Sequence, residues 1–391
     1  MSDRADAQHP RTSTTTTENT AATATAKART SRMSRTGRTR GPVRNSPVAV
    51  AAVAAVVAAS LLAGCSGEQG SSEPTGPPPL SNPPEESQKP APPGADRFSP
   101  YVDTLLSPSY DLLGNSQKTG VKDYTLAFVS PAGSKCVPRW GGRQSLKANP
   151  VAAQVEDLRE EGGGDVAVSF GGQSGRELAR VCGSVDKLAA AYIKVIDAFG
   201  LTRLDFDLEG PALTDKKAAQ LRNQAIVRLQ RQKPNLKVSY TLPVMPSGLG
   251  ADARAVLENA KKNGARVNRV NIMAMDYGTS FAGDMGGYAV KAATAAHKQI
   301  MPALGIRDEA EAWDSLAVTP MVGVNDVKGE VFRPQDAAEL RKFAEKREMG
   351  GLSMWSATRD KPCPGGPKTK AQATCSGLKE KAGAFAEAFV G

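Results

Sequence analysis

Histidine is nearly missing from this chain. Only His9 and His297 occur in 391 residues. A Ser-His-Asp or Cys-His centre would have to rest on His297 alone, and a zinc site built on several imidazoles has no ligands to use. His297 lies in a helical-looking stretch, Val290–Ala296 and onward, and reads as a structural residue. Aromatic residues make up only 5%, with three tryptophans, Trp140, Trp313 and Trp355. A concentrated basic surface is also lacking. The formal charge is +10, but residues 1–64 hold nine basic and three acidic residues. The rest balances 41 basic against 37 acidic residues, which gives no patch of the kind nucleic acid requires. The apolar run at 47–63 falls short of the ~20 residues of a membrane span.

That run has another use. Arg35, Arg38, Arg40 and Arg44 precede it, the basic-then-apolar order of an export signal. It closes on Leu62-Ala63-Gly64-Cys65, which resembles a bacterial lipobox, with Cys65 as the lipidated mature N-terminus. A plain signal peptide or an anchor helix is the alternative. Met33 would give a more usual signal length than Met1. Residues 65–95 are rich in Pro, Ser and Gly and read as a linker that holds the following domain away from a membrane surface. The expected domain is therefore 96–391, exported and either anchored to the outer face of the cell membrane or released. Beyond Cys65 the chain has Cys136, Cys182, Cys363 and Cys375, an even number that suits an oxidising compartment. Cys363 and Cys375 flank one loop, so Cys363–Cys375 with Cys136–Cys182 is the expected pairing of the three possible. Four free thiols is the alternative.

From residue 96 onward, strand-like runs alternate with amphipathic stretches. The runs are 98–105, 124–130, 165–170, 204–209, 237–243, 267–276, 316–324 and 351–356. Helical segments are expected at 150–161, 176–199, 215–232, 251–263 and 334–347. The alternation implies parallel strands joined by crossover helices. Eight such units suit an α/β fold of the (β/α)8 barrel type better than an open doubly wound sheet. Barrel active sites lie at the C-terminal strand ends. The residues there are Ser169, Asp205, Asp207, Glu209, Asp276, Tyr277, Asn325, Asp326, Trp355, Arg359 and Asp360. Local loop capping is an equal reading for Asn325-Asp326 and Arg359-Asp360. Trp140, after the second strand, is a candidate sugar platform, and Trp313 a packing residue.

The sharpest signal is Leu204-Asp205-Phe206-Asp207-Leu208-Glu209. Side chains alternate faces along a strand, so the three carboxylates share one face, roughly 6–7 Å apart, and the apolar residues share the other. Burying three like charges is costly unless they share protons. A neighbouring Asp207 is expected to raise the Glu209 pKa and keep it protonated. Asp205-x-Asp207-x-Glu209-Gly210 also opens like a calcium loop. The twelfth position is Lys216 and the interior carries Phe206, Leu208 and Pro211, which excludes that reading.

This segment resembles the Asp-x-x-Asp-x-Asp-x-Glu signature of family 18 glycoside hydrolases, the chitinases. Ser169-Phe170-Gly171-Gly172 is similar to the family's Ser-x-Gly-Gly on the third strand. Met273-Ala274-Met275-Asp276-Tyr277 resembles its sixth-strand Met-x-Tyr-Asp motif, and Trp355 matches its eighth-strand Trp. The resemblance spans 96–391. It implies hydrolysis of β-1,4-linked N-acetylglucosamine polymers or oligomers, by a monomer that needs no cofactor or metal. The substrate's own acetamido oxygen would be the nucleophile and an oxazolinium ion the intermediate. Glu209 would be the acid and later the base. Asp207 would orient the acetamido group, Asp205 would support Asp207 by sharing a proton, and Trp355 would floor the sugar site. Ser169, Gly171, Gly172, Met273, Met275, Asp276, Asn325 and Asp326 would complete the substrate site. Two departures stand out. The signature's first Asp is Thr202, and the motif Tyr is Met275, which leaves Tyr277 as its expected replacement by strand alternation. Alternatives are a sugar-binding barrel without catalysis, or an endo-β-N-acetylglucosaminidase acting on glycans. The survival of Asp205, Asp207 and Glu209 together speaks against the first.

Overall fold

The computed structural model describes residues 98–174 and 176–391. The expected export signal, Cys65 and the expected linker at 65–95 lie outside the described residues. Eight strands, β1 to β8, occupy Tyr101–Asp103, Asp123–Ala132, Asp165–Gly171, Arg203–Asp207, Lys237–Met245, Arg269–Met273, Leu316–Thr319 and Gly351–Leu352. Each pairs in parallel with the next. The ring closes between its ends: Ser99 N donates to Leu352 O and Tyr101 N to Met354 O, both at 3.0 Å. The Ser353 hydroxyl adds a bond to Ser99 O at 2.7 Å. The expected (β/α)8 barrel is therefore present. An open sheet would keep β1 and β8 apart.

A helix follows every strand: Leu112–Thr119, Val155–Glu160, Val185–Phe199, Lys216–Gln232, Ala251–Asn263, Met285–Leu304, Pro334–Arg347 and Ala384–Val390. Their ends are written in the sequence. Ser184 caps Val185–Phe199 by accepting from Lys187 N, and Gly200 ends it at φ 57, a left-handed conformation that glycine adopts at no steric cost. Asp215 caps Lys216–Gln232 in the same way. Period-two alternation along the strands supplies the layer between barrel and helices. On β4, Leu204 and Phe206 face outward and are buried. The Phe206 ring lies 5.3 Å from Phe170 on β3, 5.2 Å from Tyr192 on the following helix and 5.8 Å from Tyr240 on β5. Each such side chain removed from water contributes about 1.5–3 kcal/mol.

Differences from the sequence reading fall at the strand ends. The first strand is short, β4 stops at Asp207 and β6 stops at Met273. Lys135–Trp140 folds back antiparallel on β2 as a hairpin, where a loop was expected. Trp140 on that hairpin is fully buried, with its indole nitrogen donating to Leu146 O at 3.1 Å, so it offers no face to a sugar. Trp313 packs as expected, its ring 3.9 Å from that of His297, which is structural in turn. Both expected disulfides are formed, Cys136–Cys182 and Cys363–Cys375.

Candidate active site

Strand register assembles a polar layer inside the barrel. Ser169 on β3 sits beside Asp205 on β4, and Asp205 beside Ser239 on β5. Four hydroxyls donate to the Asp205 carboxylate: Tyr101 at 3.0 Å and Ser169 at 2.6 Å to Oδ2, Ser239 at 2.5 Å and Thr241 at 2.8 Å to Oδ1. The donors are themselves held. Thr319 donates to Asn271 Oδ1 at 2.8 Å, and Asn271 Nδ2 donates to the Tyr101 and Thr241 hydroxyls. These donors converge on Asp205, which suits an acceptor-only carboxylate, and the Tyr101 and Thr241 hydroxyls also lie 2.8 Å from each other. Burial raises the Asp205 pKa and the hydroxyls oppose that rise.

Asp207, one step up β4, is different. It is hydrogen-bonded to Glu209, and its Oδ1 has no partner among the described residues. Burial pushes its pKa well above the usual carboxylate range, and the charges of Glu209 and Asp205 push it further. Glu209 lies past the strand end and is half-buried. Its pKa is also raised, by burial first; the hydrogen bond with Asp207 lowers it and the charge of Asp276 raises it. Burial is the first cause of the rise at both carboxyls, and their like charges act within the pair as well. The proton-sharing pair is Asp207 with Glu209, since hydroxyls occupy the Asp205 oxygens. Such a pair titrates as a unit.

The pair faces a cavity of about 280 Å³ at the C-terminal mouth of the barrel. Trp355 and Phe128 stack at 5.4 Å on one side. Met245, Met273, Met275 and Met321 form apolar walls, and Asp276 and Asp326 add carboxylates. The arrangement is concave and mostly apolar, with a few aimed acids, as small-ligand sites generally are.

Of the residues expected from sequence, the structure brings Asp207, Glu209, Met273, Met275, Asp276, Asp326 and Trp355 to this cavity, while Asp205 lies behind the lining residues Tyr101 and Thr241. Others stand behind the wall. Ser169 is spent on Asp205. A Cβ on Gly171 would meet Asp207 O at 2.2 Å, and one on Gly172 the Phe128 ring at 2.8 Å, so these glycines allow close approach instead of touching a ligand. Asn325 donates to Met321 O and Gly323 O, closing its own loop. Asp360 accepts from Phe385 N and Ala386 N, and Arg359 donates to Val322 O and Val324 O, so both are spent on the backbone of other segments instead of capping their own loop. Sequence reasoning missed Tyr101, Phe128, Ser239, Thr241, Asn271 and Thr319. The sign available was Ser239-x-Thr241 among Val238, Tyr240 and Leu242, an inward polar pair on an otherwise apolar strand.

Tyr277 does not line the cavity. Its ring is buried with Phe281 at 5.8 Å and Tyr288 at 6.2 Å, and its hydroxyl has no partner among the described residues. Strand alternation fails here because β6 has ended and Asp276 adopts φ 50. Tyr277→Phe is accordingly expected to change activity and stability little, by under about 1 kcal/mol, since an unpaired buried hydroxyl contributes little that phenylalanine lacks. Steady-state kinetics and thermal melting check this; an inactive, folded variant would restore the role expected from sequence.

A closed (β/α)8 barrel with a raised-pKa carboxyl pair over an aromatic platform is the framework of a glycoside hydrolase. The comparisons give the family. No family model matches the chain. The catalytic domain of a hyperthermophilic chitinase from Pyrococcus furiosus is 35% identical, with TM-score 0.68 over 75% of this chain and 93% of that one. A probable bifunctional chitinase/lysozyme from Escherichia coli is 36% identical over 278 residues, and Endochitinase 11 of Metarhizium anisopliae 34% identical over 279. The chain spans 31% and 52% of the length of these two curated relatives. The chain belongs to the family 18 glycoside hydrolases, the chitinases.

Proposed function

We propose that this protein hydrolyses β-1,4-N-acetylglucosaminide bonds in chitin chains or chitooligosaccharides, with retention, through an oxazolinium formed from the substrate's own acetamido group. The observation that carries this is the pair Asp207 and Glu209 on one cavity with Trp355 and Phe128, Asp207 buried with its Oδ1 unpartnered among the described residues. Glu209, at the mouth, protonates the glycosidic oxygen as the bond to the anomeric carbon breaks. The acetamido oxygen closes onto that carbon, and the leaving chain departs with the proton. Asp207, sharing no proton once Glu209 has given it up, is the anion facing the positive oxazolinium, and its Oδ1 accepts from the acetamido N–H. Glu209, now a carboxylate, takes a proton from the water that reopens the ring, which regenerates the acid. The hydroxyl-bound charge of Asp205 lies below and favours the cation throughout. Trp355 and Phe128 supply the flat apolar face a pyranose ring rests on.

A related Pyrococcus furiosus chitinase domain, 34% identical, is described as complexed with chito-oligosaccharides, which supports the substrate class. The test is product analysis on N-acetyl-chitooligosaccharides beside their fully deacetylated counterparts. Cleavage of the acetylated series alone is expected. No turnover of either would leave a sugar-binding barrel, and equal turnover of both would remove the acetamido group from the mechanism.

The setting we propose is extracytoplasmic and monomeric, with Cys65 lipidated and the linker at 65–95 spacing the barrel from the membrane. Basic residues ahead of the apolar run and Leu62-Ala63-Gly64-Cys65 at its end support this. Cys65→Ser should move the protein from the membrane fraction to the soluble fraction; unchanged membrane association would remove the lipid anchor.

A further inference from the structure

Glu330 is buried without any exposed surface, and the hydrolytic steps above do not use it. It ends the tight loop 325–330 that joins Gly323–Val324 to Val331–Phe332 after β7. Its Oε1 accepts from Gly278 N at 2.8 Å, while its Oε2 is buried and has no partner among the described residues. The opposite bond exists as well. Asp276 Oδ1 accepts from Val327 N at 2.9 Å. Each loop thus gives a carboxylate to the other's backbone, and the two bonds form a clasp between the turn after β6 and the loop after β7. Within the clasp, Asp276 holds φ 50, a left-handed conformation that a non-glycine residue keeps only when its surroundings impose it. Asp276 and Asp326, one on each side of the clasp, both line the cavity. The backbone N–H groups of Asp276, Tyr277 and Gly278 all face the Glu330 carboxylate, which ties it to the whole turn.

From this clasp we infer that Glu330 is a positioning residue for hydrolysis: by holding Gly278 N it fixes the Asp276 turn and so sets the Asp276 carboxylate opposite Glu209. The inference rests on the reading of Glu209 as the acid. The charge of Asp276 raises the Glu209 pKa in this arrangement, so loosening the turn acts on the acid without touching it. Glu330 reaches the chemistry only through Asp276, which makes its effect conditional on that residue.

The experiment uses the full chain with N-acetyl-chitooligosaccharides, comparing wild type, Glu330→Ala, Glu330→Gln, Asp276→Asn and the double variant Asp276→Asn/Glu330→Ala. Glu330→Ala should lower kcat/KM about tenfold or more and move the alkaline limb of its pH profile to lower pH. Glu330→Gln keeps an acceptor for Gly278 N and should recover most of the loss. The double variant should be no worse than Asp276→Asn alone. Should the alanine variant unfold, Glu330→Met fills the same space without the acceptor and carries the comparison. A folded Glu330→Ala or Glu330→Met with unchanged kcat/KM and pH limb, or losses that multiply in the double variant, would overturn the positioning role and leave the glycosidase reading standing. A wild type without turnover would overturn both.

Discussion

Glu209→Gln should fold as the wild type does and lose about 10³-fold in kcat, the scale of a general acid-base contribution. The amide keeps the size of the side chain and its contact with Asp207 but cannot carry a proton to the leaving oxygen. The pH profile belongs to the same prediction. The folded-state pKa of Glu209 is raised, so the protonated form persists to higher pH than in an ordinary glutamate. Wild-type kcat should therefore fall as pH rises through the raised value of the Asp207–Glu209 pair, and fall again at acid pH, where Asp207 takes a proton of its own and leaves no anion for the oxazolinium. The residual activity of Glu209→Gln should lack the alkaline limb. Asp207 shares the proton, so the limb reports the pair. A variant with near-normal kcat would mean that Glu209 is not the acid.

The second large effect is on stability and lies away from the cavity. Arg222 on the helix Lys216–Gln232 and Glu177 in the segment after β3 form an ion pair at 3.1 Å, both side chains fully buried. The Tyr192 hydroxyl donates to Glu177 Oε1 at 2.8 Å, Ala179 N donates to the same oxygen at 3.1 Å, and the guanidinium lies 5.6 Å over the Tyr240 ring. Arg222→Met would leave Glu177 charged and buried without its counter-charge, held only by Tyr192 and Ala179 N. That should cost about 3–5 kcal/mol by denaturant unfolding. Replacing both, as Arg222→Met with Glu177→Leu, should recover much of the loss, because the pair must offset its own desolvation. A single variant within about 1 kcal/mol of wild type would show that water reaches the site.

These two residues mark what the sequence made legible and what it hid. Glu209 and its partners could be read because one strand alternates without interruption: Leu204, Phe206 and Leu208 fix the outward face and leave the acids inward. The same rule located all eight strands. It stopped working where strands end. Tyr277 was placed on the inner face by counting from Met275, but Asp276 turns the backbone at φ 50 and sends that ring into Phe281 and Tyr288. Trp140 could not be placed because nothing local distinguishes a returning hairpin from a loop. Arg222 was hidden for a different reason. On the same helix, Arg228 pairs with Asp186 at the exposed surface, and the chain offers no local difference between the two arginines. Burial there depends on Glu177, 45 residues earlier, which the packing of neighbouring β/α units brings near. Glu330 is a further case, a charge in a loop that looks solvated until the neighbouring turn is seen.

The configuration of the first product tests the Glu209–Asp207 mechanism most directly. Cleavage of a β-linked N-acetyl-chitooligosaccharide followed by proton NMR from the first minutes should show the β-anomer at the new reducing end, ahead of mutarotation. Attack by the acetamido oxygen and then by water inverts the carbon twice. Initial release of the α-anomer would contradict that mechanism, because it requires a single direct displacement by water.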